Sequence, residues 1–126
     1  MPDHTYRIRN EPLGDDTLVV VRGGLLEATT IRTDALAAAE RFGVPGISVF
    51  AAPDHDALDD LAREKLIRFE VLTIITVGAL RSAGLEIIPT FRRPHLTILL
   101  PDLDGDLKRL LACDNAIWHN DHHQPS

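Results

Sequence analysis

Arg22 is the residue in this sequence best placed to do chemistry. It follows the apolar run Leu18-Val19-Val20-Val21 and is followed at once by Gly23-Gly24. A guanidinium presents a planar fork of donors that stays charged, which suits a phosphate or diphosphate. Two glycines at the exit of a buried strand let a backbone or a ligand come close. The ordinary alternative is a strand-end arginine paired with a carboxylate before a flexible turn. Ser48 interrupts Gly46-Ile47-Ser48-Val49-Phe50 and must face away from Ile47 and Val49, towards solvent or a cleft. No G-x-S-x-G elbow surrounds it, so it reads first as a solvent-side strand serine rather than a nucleophile. The third group is Arg92-Arg93-Pro94-His95-Leu96-Thr97. His95 opens a strand and Thr97 projects on the same side. An imidazole beside arginines can act as acid or base at a phosphodiester while a guanidinium holds the charge. A histidine that merely closes a loop explains the same pattern equally well.

Arg22 in Val-Val-Val-Arg-Gly-Gly, Ser48 in Gly-Ile-Ser-Val-Phe and Glu86 in Gly-Leu-Glu-Ile-Ile together resemble the arginine–serine–glutamate pattern of ADP-ribosyltransferase toxins. The resemblance implies NAD as substrate, with Arg22 on its diphosphate and Ser48 supporting the nicotinamide site. Glu86 would stabilise an oxocarbenium-like transition state. The match covers a few residues of each motif. Ile47-Ser48-Val49 stands where the family shows Ser-Thr-Ser, and Gly84 where it carries a second Glu or Gln. His95-Leu96-Thr97-Ile98 is similar to one motif of the two-histidine phosphoesterases. That family needs two such motifs, and His4-Thr5 lacks the intervening residue, so membership is excluded. A small ribonuclease using His95 with Arg22 or Arg93 stays open. The expected site is therefore His95, Arg22 and Glu86 as catalytic groups, with Gly23, Gly24, Ser48, Arg93 and Thr97 binding the ligand.

No metal is expected. His55 and Asp59 are one helical turn apart, and His119, Asp121, His122 and His123 crowd the C-terminal end. Neither set has the count and spacing of a closed site. Asp102-Leu103-Asp104-Gly105-Asp106 lacks the spacing and distal glutamate of a calcium loop and reads as helix capping.

These groups need one scaffold. At 126 residues, 44% hydrophobic and 25% charged, the chain suits one globular domain able to bury a real core. A single cysteine, Cys113, forbids an internal disulfide, and no signal-peptide h-region or bilayer-length apolar run appears. Cytoplasmic location and no membrane contact follow as expectations. The net charge of −6 disfavours a broad grip on nucleic acid, although Arg92-Arg93 and the pair Arg7 and Arg9 could act locally.

The periodicity predicts a short strand at Thr5–Arg9 and a buried one at Thr17–Arg22. Thr33 should cap a helix that presents Leu36, Ala39 and Phe42 and stops at Gly43. A strand follows at Gly46–Ala51, then a helix capped by Asp54 with Leu58, Leu61, Ala62 and Leu66 on its inner face. A central strand should run over Arg68–Ile75, with Thr76 capping a short helix that ends at Gly84. Strands at Leu85–Thr90 and His95–Leu100 form a hairpin if they are antiparallel neighbours. Asp104 or Asp106 caps a last helix through Leu107, Leu110 and Leu111. The expected fold is mixed α/β: one mixed sheet of five or six strands with three or four helices packed on it. The domain spans residues 1–118, and a polar tail from His119 to Ser126 frays.

Three functions compete on this reading. A toxin-like enzyme acting on NAD or RNA would bring Arg22, Ser48 and His95 around one cleft. A non-catalytic partner (an antitoxin, an immunity protein or an assembly subunit, with a homodimer also open) would use an acidic face to bind a basic protein. An orphan metabolic enzyme would show a deep apolar pocket with no arginine at its mouth. The first is preferred narrowly, on Arg22 and its glycines.

Overall fold

The computed structural model describes Tyr6, Ile8, Arg9 and residues 12–124. The run Leu18–Gly23 forms β1, and Gly46–Ala52 forms β2 beside it. Val71–Thr76 is β3, Glu86–Pro89 β4, His95–Leu99 β5 and Ala116–His119 β6. They make one sheet in the order β4-β5-β2-β1-β3-β6, and every pairing in it is antiparallel. Among the described residues, four helices complete the mixed α/β fold: α1 (Ala28–Phe42), α2 (His55–Glu64), α3 (Val77–Ser82) and α4 (Leu103–Ala112). Among the described residues, no helix is long and apolar enough to cross a membrane.

Strand alternation divides the core in two. Val19, Val21, Ile47, Val49, Ile75, Leu96 and Ile98 turn to one face, where they pack with Ile31 and Ala35 of α1, Leu80 of α3 and Leu107 and Leu110 of α4. Val20, Ala52, Leu72 and Ile74 turn to the other, under Leu58, Leu61 and Ala62 of α2. A sheet covered on both faces needs apolar residues at successive positions, which is why β1 and β3 read as near-continuous hydrophobic runs.

Several local expectations hold at the atomic level. Asp54 accepts from the Ala57 amide at 2.8 Å and Thr76 from the Ala79 amide at 3.1 Å, capping α2 and α3. Gly43 ends α1 with φ 87°, and β4 and β5 form the expected hairpin.

Other expectations are corrected. α1 begins at Ala28 after Glu27, so Thr33 lies inside the helix, where its hydroxyl donates to the Thr29 carbonyl at 3.0 Å. Its buried side is Ile31 and Ala35, while Leu36 is exposed. α4 is capped at Asp102, not at Asp104 or Asp106. Asp106 is buried, reaching back to the Asp102 amide at 2.9 Å and holding Arg109 at 2.7 Å. The central strand starts at Val71, which leaves Arg68 and Phe69 in the connection before it.

The fraying tail is not found within the described residues. His119 closes β6, and Asn120 is 5% exposed, its amide donating to the carbonyls of Leu66 and Phe69 at 3.0 and 3.2 Å. The Gln124 amide donates to the Ile67 carbonyl at 2.9 Å. Polarity here marks hydrogen bonding to the chain, not release from it. Of the strand expected at Thr5–Arg9, Ile8 makes one bridge to Thr90. His4, Thr5 and Arg7 lie outside the described residues.

Candidate ligand site at a fork in the sheet

β1 and β2 are neighbours for only part of their length. Leu18, Val19 and Val20 face Ala52, Ala51 and Phe50, and the pairing ends there. Beyond Val20 a β-bulge shifts β1 against β3, so that Val20 faces Ile74 while Arg22 already faces Thr73. From that point Arg22 and Gly23 pair only with β3, and Gly46–Val49 only with β5. The sheet forks, with Arg22 on one prong and Ser48 on the other.

The glycines explain part of this exit. Any side chain at residue 23 would run into the Phe69 ring, so the close approach at Gly23 is made by the protein's own phenylalanine. Gly24 takes φ 99°, a conformation that favours glycine, and its carbonyl accepts the Thr73 hydroxyl at 2.8 Å. Both glycines serve the turn; Gly23 also lines the cleft beside it.

Two hollows open at the fork, one on each face of the sheet. The first, of about 260 Å³, lies under α1 and includes Ile31, Ala37, Ala38, Arg41 and Phe42 in its wall. The second, of about 460 Å³, is walled by Val20, Phe50, Lys65, Leu66, Arg68 and Phe69. Both are lined by Val21, Arg22, Asp34 and Ser48, so they meet at the fork.

The charges there run against the rest of the molecule. Lys and Arg number 13 in the chain and Asp and Glu 19, yet Arg22, Arg41, Lys65 and Arg68 line the two hollows against the single carboxylate of Asp34. Arg22 Nη1 lies 3.9 Å from Asp34 Oδ2, an ion pair too long for a hydrogen bond. So long a pair with an exposed carboxylate is weak and leaves the guanidinium's donors available. Arg41 lies 5.3 Å over the ring of Phe42, and Arg68 4.9 Å over that of Phe69. Among the described residues, neither arginine nor Lys65 makes an ion pair with a carboxylate.

The other expected residues are elsewhere. His95 lies on the face of Ser48 and Phe50, one strand beyond them, opposite Phe50 in the ladder. Its Nδ1 is 2.6 Å from Thr90 Oγ1, which is 2.8 Å from Thr97 Oγ1. Its ring packs against Phe50 and Phe91, and its carbonyl accepts from Arg9 at 2.9 Å. Burial pushes the imidazole below its usual pKa. Thr97 does share His95's side, but it is 1% exposed, its hydroxyl taken up by Thr90. Neither hollow at the fork includes His95, Thr97 or Arg93. Arg93 borders a separate hollow with Arg9, Pro12 and Pro53. Glu86 is exposed on the edge strand β4, with β5 and β2 between it and β1. The structure therefore brings Arg22, Gly23 and Ser48 together and leaves His95, Thr97, Arg93 and Glu86 outside.

Sequence reasoning missed Arg41, Lys65 and Arg68. They come from the ends of α1 and α2 and the connection into β3, and no local pattern links them. Asp59, expected beside His55, accepts instead from His122 at 2.9 Å when that ring carries its proton on Nε2. No cluster of three or more metal-ligating side chains occurs among the described residues. No family model matches the chain, and neither a curated protein nor a solved structure matches it.

Proposed function

We propose that this protein binds a small, phosphate-bearing nucleotide at the fork between β1 and β2, with Arg22 as the phosphate ligand. The observation that carries the reading is the gathering of Arg22, Arg41, Lys65 and Arg68 around one opening in a chain of net charge −6. A planar guanidinium can hold a phosphate through paired hydrogen bonds, and the loose contact with Asp34 leaves it able to do so. Ser48 adds an exposed hydroxyl on the opposite prong. Phe50 and Phe69 offer apolar walls to a base or nicotinamide ring.

The surrounding negative charge favours a small ligand over an RNA strand, whose length of phosphates would meet repulsion outside the opening. NAD is a ligand of this class, and a lone buried thiol suits the reducing cytoplasm where such ligands are found. Binding is the activity proposed. Asp34 is the one carboxylate lining the hollows, and His95 and Glu86 stand outside them, so no acid–base pair is assigned to a reaction.

Isothermal titration with adenosine 5′-diphosphate tests the reading. Saturable binding is expected, weakened about tenfold or more in Arg22→Gln, as befits loss of a charged hydrogen-bond donor pair. Arg22→Gln keeps much of the side chain's length, and its melting curve shows whether it folds. Equal affinity for the two proteins, or no saturable binding to the wild type, overturns the proposal.

A further inference from the structure

We infer that the end of the sheet away from the fork holds a second binding site, for a small aromatic amine whose ammonium group meets Asp114 and whose ring packs beside Trp118. This hollow shares no lining residue with the fork, and the inference does not depend on the nucleotide reading.

The hollow, of about 390 Å³, falls within the range of small-molecule sites, about 300–1,000 Å³. Strand pairing builds it. Leu18 faces Thr76 at the end of the β1–β3 ladder farthest from Arg22, and Ala116 and Trp118 of β6 face Ile74 and Leu72. Side chains at facing positions share one side of a sheet. Ala116 and Trp118 therefore stand on the side covered by α2, with the buried Leu58. β6 is the edge of the sheet, and no strand lies beyond it among the described residues. Leu18, Leu58, Ile74, Ala79, Ala116 and Trp118 give the hollow an apolar wall.

The rim of this hollow is anionic and rich in acceptors. Asp114 is exposed and, among the described residues, makes no ion pair. Asn115 donates from its side-chain nitrogen to the Cys113 carbonyl at 3.2 Å, which leaves its side-chain oxygen to accept from a ligand. No lysine or arginine lines the hollow among the described residues. The end of α2 that borders it at His55 carries Asp54 as its cap and Asp56 in its first turn. The sign is opposite to that of the fork, where four cations gather. An ammonium group brings donors and no acceptor, so it answers a carboxylate and an amide oxygen together. An indole attracts a cation to its face more strongly than the other aromatic side chains do. An inorganic cation would leave the apolar wall unused. A cation carried on a flat apolar body uses both, and a ring packs well beside an indole.

Trp118 is the one tryptophan of the chain, so its fluorescence reports on this hollow. The test titrates the full chain with phenethylamine, phenethyl alcohol and phenylpropionate, which share a phenyl ring and differ in charge. Phenethylamine should change the emission saturably and bind at least about fivefold more tightly than the alcohol, with phenylpropionate weaker than either. This comparison needs no variant. Asp114→Asn removes the charge from an exposed side chain, and its melting curve shows whether it folds. It should weaken phenethylamine by at least about twofold, within the range of an exposed ion pair. The inference is overturned if phenethylamine causes no saturable change, or if its affinity lies within about fivefold of the alcohol's. Asp114→Asn binding the amine as tightly as the wild type overturns it as well. Each of these failures leaves the nucleotide site standing, because adenosine 5′-diphosphate is titrated into a different opening.

Discussion

Burial pushes the His95 imidazole below its usual pKa. A hydrogen bond with the Thr90 backbone opposes that push, and the charge of Arg9 adds to it. The folded chain therefore takes up this proton less readily than the unfolded chain. The stability that depends on a neutral His95 is fully present above the unfolded value, near 6.5, and is lost as pH falls from there towards the lower folded value. His95→Asn removes the titration while keeping an acceptor near the Thr90 hydroxyl. The melting temperature of the wild type should drop more steeply than that of His95→Asn between about pH 7.5 and pH 5. Parallel curves would show that His95 does not carry the acid sensitivity. The same residue shows what a sequence can and cannot reveal at this scale. Its strand position and its shared side with Thr97 follow from alternation alone. That Thr90 would absorb both side chains depends on a five-residue connection whose path no local pattern states. Arg22 could be singled out because its neighbours are apolar or glycine. Arg41, Lys65 and Arg68 look like any solvated charge on a helix end or loop.

At the scale of elements, capping and periodicity gave correct helices wherever one residue's chemistry decided the boundary, as Asp54 and Thr76 did. They failed where several residues could serve. Thr29, Thr30 and Thr33 all offer hydroxyls at the start of α1, and packing of Ile31 and Ala35 chose the earlier start. β6 was invisible because Ala116–His119 is a four-residue edge strand whose identity comes from pairing with β3. Asn120 completes that addition. Its side-chain amide donates to carbonyls of Leu66 and Phe69, at the end of α2's connection, and its own backbone amide donates to Glu70 at 2.9 Å. Asn120→Ala takes the side-chain donor from the Phe69 carbonyl and one of two donors from the Leu66 carbonyl, which keeps the Phe69 amide, and should destabilise the protein by about 1–3 kcal/mol in chemical denaturation. A loss below about 0.5 kcal/mol, the scatter of ordinary surface substitutions, would mean that the segment contributes little to the fold. Because Phe69 walls the second hollow, the same substitution disturbs the site from behind.

For the molecule as a whole, the sign of the charge changes over a short distance: net −6 overall, but four cations and one carboxylate at the fork. Phosphate binding driven by that local excess must weaken as salt screens it. Affinity for adenosine 5′-diphosphate should fall steadily as sodium chloride is raised through the physiological range. A flat response would assign the binding to the apolar walls instead. Composition had disclosed the net charge, and alternation of strands and helices had disclosed the class of fold. Strand order was hidden, because β1 and β2 must be neighbours before Arg22 and Ser48 can line one opening, and that adjacency is a property of the whole chain. The order β4-β5-β2-β1-β3-β6 places the fork at the sheet's midline, with three strands on either side. Within the sheet the ladder between the halves is Leu18–Val20 against Phe50–Ala52, at the end away from the opening, while Val19, Val21, Ile47, Val49 and Ile98 tie both halves into one core under α1 and α4. A molecule held by Arg22 on one half and Ser48 on the other would act as a clasp across the open end, so the grip on the ligand and the rigidity of the sheet would rise and fall as one quantity.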